Sequence, residues 1–319
     1  MLAVVCVGDG RVEVHERPDP VPGAGEVVVR VKAAGMNGAD LLQAQGRYPA
    51  PAGAPPDIPG LELAGEVEAL GPAASRFAVG DKVMGVVGGG GQAERCAVHE
   101  RCLVPVPTGL EWTEAGGFPE AFTTAHDALF TQCGLAMGEH LLVHGGAGGV
   151  GTAAVQLGAV AGARVTAAVR STDLRGDVMR LGGTRGPVEA IDPEGFEERG
   201  PFDVVLELVG AANLVGNLRS LATGGRISMI GVQGGGSRAE LDLLALMQKR
   251  ARIVGSTLRA RPLEQKADAA RRIERHVLPA LGAGEIRVPV AAAFHLEEAP
   301  SAYARFAARG KLGKVVLET

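Results

Sequence analysis

Residues 140–170 read HLLVHGGAGGVGTAAVQLGAVAGARVTAAVR. His140-Leu141-Leu142-Val143-His144 is a short apolar run of strand length. Gly146-Ala147-Gly148-Gly149-Val150-Gly151 follows at once and fits G-x-G-x-x-G. Residues 152–161 supply Ala, Val, Gln and Leu, suited to a buried helix, and residues 163–169 are a second strand-like run. The three motif glycines have separate physical jobs. Gly146 is expected to allow a tight turn with φ > 0, Gly148 to let backbone approach a pyrophosphate, and Gly151 to let helix pack on strand. A helix starting there aims free N–H groups and a partial positive charge at phosphate. In a chain with 48 glycines the bare motif is weak evidence. Its setting of strand, turn, helix and strand makes it a dinucleotide site rather than a structural turn.

The end of the second strand bears on which dinucleotide. NAD sites expect Asp or Glu about 20 residues after the motif start, on the ribose 2′-hydroxyl. Ala168-Val169-Arg170-Ser171 stands there instead. Arg170 offers a forked, charge-assisted hydrogen bond to a 2′-phosphate, with Ser171 beside it. The expected cofactor is therefore NADPH. The competing reading makes Arg170 a solvated loop charge. Asp173, after Ser171 and Thr172, reads as part of a helix cap.

Outward from this unit, strands are expected at 188–191, 202–208, 225–232 and 252–257, alternating with helices at 172–181, 211–221 and 240–249. With the two strands above, that makes a doubly wound, six-stranded parallel sheet of Rossmann type. Leu208, Val209, Ile230 and Gly231 end strands at its carboxyl edge, where dinucleotides bind. Residues 1–118 break instead into short strands at 26–32, 61–70, 79–85 and 94–106, divided by Gly/Pro-rich loops at 48–60 and 88–91, the pattern of a partly open β-barrel. Residues 114–130 have helical spacing interrupted near Pro119. After Pro262, one long amphipathic helix carries Leu263, Ala267, Ala270, Ile273, Val277 and Leu281 on one face. Residues 312–317 form a last strand that returns to the first domain. The expected domains are 1–118 with 258–319, and 119–257.

Composition agrees with two domains in 319 residues. Aromatics are only 3%, so the core must be Ala, Val and Leu. A net charge of −4 gives no support for nucleic-acid binding. Cys6, Cys96, Cys102 and Cys133 form no C-x-x-C and read as free thiols in a reducing compartment. Residues 2–7 have no basic lead or cleavage site, so no signal peptide is expected, and the expected location is cytoplasmic. Residues 145–163 carry no charge and have the length of a membrane span, but the nucleotide turn accounts for them. The seven histidines are scattered. His140 and His144 would lie ~13 Å apart along a strand, too far for a ligand pair.

Ala34-Gly35-Met36-Asn37-Gly38-Ala39-Asp40, Gln45-Gly46-Arg47-Tyr48, Gly60-Leu61-Glu62-Leu63-Ala64-Gly65, Val79-Gly80-Asp81-Lys82-Val83, Pro119-Glu120-Ala121-Phe122-Thr123-Thr124-Ala125 and Gly310-Lys311-Leu312-Gly313-Lys314 complete a pattern. With the glycine motif, they resemble the medium-chain dehydrogenase/reductase superfamily over nearly the whole chain. The resemblance is to its zinc-free NADPH:quinone oxidoreductase branch, chiefly the tumour-suppressor-inducible type and more distantly zeta-crystallin. It implies a GroES-like first domain, an active site in the cleft between domains, a small quinone or enone substrate and a homodimer. It places Asn37 and Tyr48 at the nicotinamide, as the catalytic pair. Thr124, the segment Gly146, Ala147, Gly148, Gly149 and Val150, and Lys314 are placed at the cofactor. The competing readings are a turn residue for Asn37, a loop aromatic for Tyr48 and a solvated charge for Lys314.

Zinc members carry Cys where Met36-Asn37 stands, His where Leu61 stands, and a four-cysteine lobe that is absent here. Zinc needs thiolate or imidazole ligands, so no metal is expected and Glu62 reads as structural and salt-bridged. Many relatives have Tyr near Ile191 and Lys near Leu174-Arg175. The 2′-phosphate clamp therefore rests on Arg170 and Ser171, with Arg175 a helper. The leading expectation is an NADPH-dependent reductase of quinones or activated alkenes. A 2-enoyl-thioester or alkenal reductase, and an NADPH-binding protein with a structural or regulatory role, are the alternatives. The 234–238 loop and Leu258-Arg259 carry no group diagnostic of the acceptor.

Overall fold

The chain opens as two antiparallel strands, the apolar β1 (Leu2–Gly8) and β2 (Arg11–Glu16), where Val alternates with charged or polar residues, turned at Asp9 and Gly10. The computed structural model describes every residue except Arg185, Gln233 and Gly235, the last within the 234–238 loop. β3 (Glu26–Gly35), helix α1 (Gly38–Ala44), β4 (Glu62–Leu70), β5 (Lys82–Val86), β6 (Arg95–His99) and β7 (Leu103–Pro105) follow. Helices α2 (Trp112–Gly117) and α3 (Pro119–His126) divide where Pro119 has no N–H to give, and a π-helical turn at Asp127–Gln132 follows. Next come β8 (His140–His144), α4 (Gly149–Val160), β9 (Arg164–Ala168), α5 (Thr172–Arg180), β10 (Val188–Ile191), β11 (Phe202–Glu207), α6 (Leu214–Ser220), β12 (Leu221–Met229), α7 (Leu243–Lys249) and β13 (Arg252–Gly255). The chain closes with α8 (Leu263–His276), α9 (Leu278–Gly282), β14 (Val290–His295), α10 (Ala299–Ala307) and β15 (Lys314–Glu318).

The backbone packs as two units, residues 1–123, 258–309 and 314–319, and residues 124–257 and 310–313. The first unit carries a sheet in the order β14-β15-β3-β4-β5-β7, with β6 also on β3. The last strand pairs with β3 and β14 in this unit, as expected. Val27, Val29, Val31, Leu63, Val83 and Leu103 fill its core, each burial of a Val or Leu contributing about 1.5–3 kcal/mol. Residues 94–106 are not one strand. A turn at Glu100–Cys102 splits them, and the Glu100 carboxylate there accepts the Ser75 and Arg76 N–H groups. The expected single helix over 263–281 also breaks, at Val277. Pro279 cannot donate, and its ring excludes the carbonyl of Arg275.

The second unit is an all-parallel sheet in the order β10-β9-β8-β11-β12-β13. Counted from β8, that is 3-2-1-4-5-6, the order of a doubly wound dinucleotide fold. Residues 151–159 of α4 are all buried, which is why that helix carries no charge. The strand expected at 225–232 lies earlier, because Leu221 already pairs with Phe202. The helix expected over 211–221 becomes α-helical only at Leu214, after a short tight turn. β13 is one edge strand of this sheet and β10 the other. Among the described residues no helix is long and apolar enough to cross a membrane.

Candidate functional site

In the second unit the glycine turn follows β8, Arg170 follows β9, Leu208 and Val209 follow β11, and Ile230 and Gly231 follow β12. These strands are neighbours, so the segments share one sheet edge. β9 and β11 flank β8 on opposite sides, which puts the glycine turn where the strand order reverses. The glycine roles need one correction. The positive φ belongs to Gly145 (69°), one residue before the motif, and not to Gly146. Gly146 is required by space: a Cβ there would sit 2.9 Å from the Ala167 Cβ. A Cβ on Gly151 would lie 2.2 Å from the Gly145 oxygen, so the helix seats directly on the turn. At Gly148, the N-cap of α4, the nearest atom to such a Cβ is 3.5 Å away, leaving an open face. The N–H groups of Gly149, Val150 and Gly151 open the helix, where donors have no intrahelical partner. The Gly313 N–H braces the turn by donating to the Ala147 oxygen at 2.8 Å.

Arg170 is exposed and forms no hydrogen bond or ion pair among the described residues. Ser171 is the half-buried N-cap of α5. Arg175 is not available as a helper. Its Nε donates to the Val169 oxygen at 3.0 Å and its Nη2 to Asp192. Beneath the edge lies a network that sequence reasoning missed. The buried Glu207 carboxylate accepts the Val209 N–H at 2.6 Å, the Gly210 N–H at 2.9 Å and the Asn217 amide at 2.7 Å. Asn217 Oδ1 in turn accepts from His144 Nε2 at 2.7 Å. Burial lowers the His144 pKa, against the opposing pull of Glu207. Glu207 thus fixes the 208–210 turn. An acid closing an apolar strand was the available signal.

In the first unit three residues from distant segments converge. Lys314 Nζ donates to the Met36 oxygen at 2.7 Å, to Asn37 Oδ1 at 2.8 Å and to Glu62 Oε1 at 2.6 Å. Asn37 Nδ2 donates to the same Glu62 oxygen at 2.8 Å, and Glu62 Oε2 accepts the Glu120 N–H at 2.8 Å. Glu62 is 0% and Lys314 2% exposed. The expected salt bridge of Glu62 is therefore with Lys314, which is no solvated charge. Its three protons are all used inside this cluster. Gly35 makes room, since a Cβ there would lie 2.4 Å from Glu62 Oε1. Asp40, also fully buried, accepts the Asn37 N–H at 2.8 Å and the Gly60 N–H at 3.1 Å. Burial pushes its pKa up to about 6, against those two bonds and Lys314.

Tyr48 is half-buried. Arg259 stacks on it, the guanidinium carbon 5.0 Å from the ring centre, and donates to the Tyr48 backbone carbonyl oxygen at 3.0 Å. Thr124, on α3, is a buried residue of the second unit. Met36 and Leu61 are buried and offer a thioether and an alkyl group. Among the described residues no three His, Cys, Asp or Glu side chains are grouped to hold a metal ion. With Glu62 sealed by Lys314 and Asn37, these residues do not fit the thiolate and imidazole set that zinc takes.

Comparison with known proteins agrees with this architecture. Residues 23–131 match the alcohol dehydrogenase GroES-like domain, and residues 189–317 match the zinc-binding dehydrogenase family. The chain is 36% identical to the quinone oxidoreductase of Thermus thermophilus, described also in complex with NADPH, covering 100% of both chains with a TM-score of 0.84. It is 28% identical to an NAD-dependent alcohol dehydrogenase, again covering 100% of both, with a TM-score of 0.86. It is also 36% identical over 303 residues to erythronolide synthase EryA2 of Saccharopolyspora erythraea. That match takes in 92% of this chain, which spans only 8% of the synthase. The chain belongs to the medium-chain dehydrogenase/reductase superfamily, a family of pyridine-nucleotide-dependent oxidoreductases.

Proposed function

We propose that the protein is an NADPH-dependent reductase that delivers hydride to quinones or to activated alkenes, without metal. The observation that carries this reading is the glycine turn at the strand-order reversal, with Arg170 after the next strand, exposed and without a hydrogen bond or ion pair among the described residues. Gly146, Ala147, Gly148, Gly149 and Val150 would hold the pyrophosphate, and Arg170 with Ser171 the 2′-phosphate. Thr124, Leu208, Val209, Ile230 and Gly231 would bound the nicotinamide half. The full-length likeness to a quinone oxidoreductase described with NADPH supports the same reading.

When bound, the nucleotide supplies the hydride. The chain's own task is the negative charge that builds on the acceptor oxygen as hydride arrives. A donor aimed at that oxygen lowers the barrier. In this reading Tyr48 gives the donor, and Asn37, held at both amide atoms by Lys314 and Glu62, orients the acceptor or the nicotinamide. Lys314 acts through Asn37. Zinc independence rests on Met36, Leu61 and the sealed Glu62. A full equivalent of zinc in untagged protein, with activity lost to chelators, would refute it. We also assign a homodimer, formed on the edge strand β13 beside the exposed Leu243, Leu244 and Met247. A concentration-independent monomer mass in light scattering overturns that.

The match inside a polyketide synthase favours one second reading, an α,β-unsaturated thioester as acceptor. A panel of quinones, enones and enoyl thioesters under NADPH, scored by kcat/KM, separates the two. Preference for the thioester selects the second reading. NADPH binding with no turnover of any acceptor points to the structural or regulatory role instead.

A further inference from the structure

Two buried arginines have opposite surroundings. Arg226 faces the carboxylate of Glu139, with contacts of 2.7 and 2.9 Å. Arg259 is 3% exposed and has no ion pair among the described residues. Its Nε donates to the Gly88 backbone oxygen at 2.8 Å, its Nη1 to the Tyr48 backbone oxygen at 3.0 Å and its Nη2 to Gln43 Oε1 at 2.5 Å. All three acceptors are neutral. The Asp40 and Glu120 carboxylates favour the Arg259 charge only through space, against the burial that opposes it, and hydrogen bonds to neutral oxygens offset only part of the cost of that burial. The arrangement joins three segments that are separate in sequence. Gln43 lies on α1, the helix that Asn37 begins; Tyr48 lies in the loop after it; Gly88 follows β5. The stacked ring fixes the Tyr48 side chain as well as its backbone.

We propose that Arg259 is the positioning residue for Tyr48, holding its loop against α1 and keeping a positive charge under its ring. The proposal rests on the reading of Tyr48 as hydrogen-bond donor to the acceptor oxygen. Negative charge growing on that oxygen is then met by the hydroxyl and, behind it, by a guanidinium whose direct hydrogen-bond partners among the described residues are all neutral. The low-dielectric setting strengthens that attraction. A quinone, whose reduced oxygen is already stabilised by its ring, needs this less than an enone.

The test compares wild type, Tyr48→Phe, Arg259→Met, the double variant and Arg259→Lys. It reads kcat for one quinone and one enone at saturating NADPH, the solvent isotope effect on enone kcat, the NADPH Kd and Tm. Arg259→Met is expected to lower enone kcat by about 10²-fold and quinone kcat by less than about tenfold, with the NADPH Kd within about twofold. The double variant should be no slower than Tyr48→Phe alone, because the two residues act as one unit. Arg259→Lys keeps the charge and loses the fork, so it should recover part of the enone rate. It also carries the test if Arg259→Met does not fold. Equal losses with both acceptors, or a double variant slower by the product of the single effects, would overturn the proposal and leave the role of Tyr48 standing. Tyr48→Phe with wild-type kcat on both acceptors would remove the role of Tyr48, and the proposal with it.

Discussion

The glycine edge of the second unit and the Asn37–Glu62–Lys314 cluster of the first are built on opposite principles. The edge is made of backbone. Gly146, Gly148 and Gly151 contribute by lacking atoms, and residues 151–159 bury an uncharged helix behind them. The cluster is made of charge. A carboxylate and an ammonium are both buried, and they satisfy each other and an amide between them. The contrast teaches where fragility lies. A backbone site fails when an atom is added, whereas a charge cluster fails when a partner is removed.

The largest effect is therefore expected in the cluster. Lys314→Met leaves Glu62 buried and uncompensated, and should cost about 3–5 kcal/mol of stability, read by urea unfolding. Pairing it with Glu62→Gln should restore much of that loss. If Lys314→Met alone unfolds like wild type, the cluster is not held by charge.

The second prediction sharpens the same point through pH. The pKa of Asp40 rises from 3.8 to about 6 on folding, chiefly by burial. A carboxyl whose folded pKa is raised favours folding while protonated, and that stability is lost as the pH rises through the folded value. Wild type should lose on the order of 3 kcal/mol relative to Asp40→Asn between about pH 4 and pH 6, and no more above that. Unfolding free energies at four pH values for both proteins decide it; parallel curves would show that Asp40 does not titrate in this window.

The third prediction adds an atom to the edge. Gly151→Ala forces its Cβ towards the Gly145 oxygen, at 2.2 Å if nothing moves. It should cost about 1–3 kcal/mol and displace the turn, weakening NADPH and NADH alike. Gly148→Ala meets nothing closer than 3.5 Å in the protein, so its stability should be near wild type while nucleotide binding falls. Equal loss of stability in both variants would contradict this division of labour.

The same contrast explains what the sequence could disclose. Backbone demands are local and write glycines at fixed spacing, so the turn, the six-stranded sheet and the strand ends at 208–209 and 230–231 were legible. Even there the positive φ falls one residue earlier than the motif suggests, because Gly145 and Gly146 are adjacent and only geometry tells them apart. The cluster joins residues 252 positions apart in Glu62 and Lys314, a distance no local pattern records. The resemblance points to those two residues but not to their contact. Arg259 carries no diagnostic signal in the sequence, since an arginine in a loop looks solvated until the fold buries it. Likewise Val277 keeps the apolar period, and only Pro279 signals that the helix will break.

The role proposed for the glycine edge is to take a nucleotide. The direct measurement is the Kd of NADPH and of NADH for wild type and Arg170→Ala, at one fixed ionic strength. Wild type should prefer NADPH. Removing the exposed guanidinium should weaken NADPH by about tenfold or more, equivalent to roughly 1.5–3 kcal/mol, and leave NADH unchanged. Equal weakening of both nucleotides, or a wild type that binds NADH as tightly as NADPH, would contradict the assignment of NADPH to this edge.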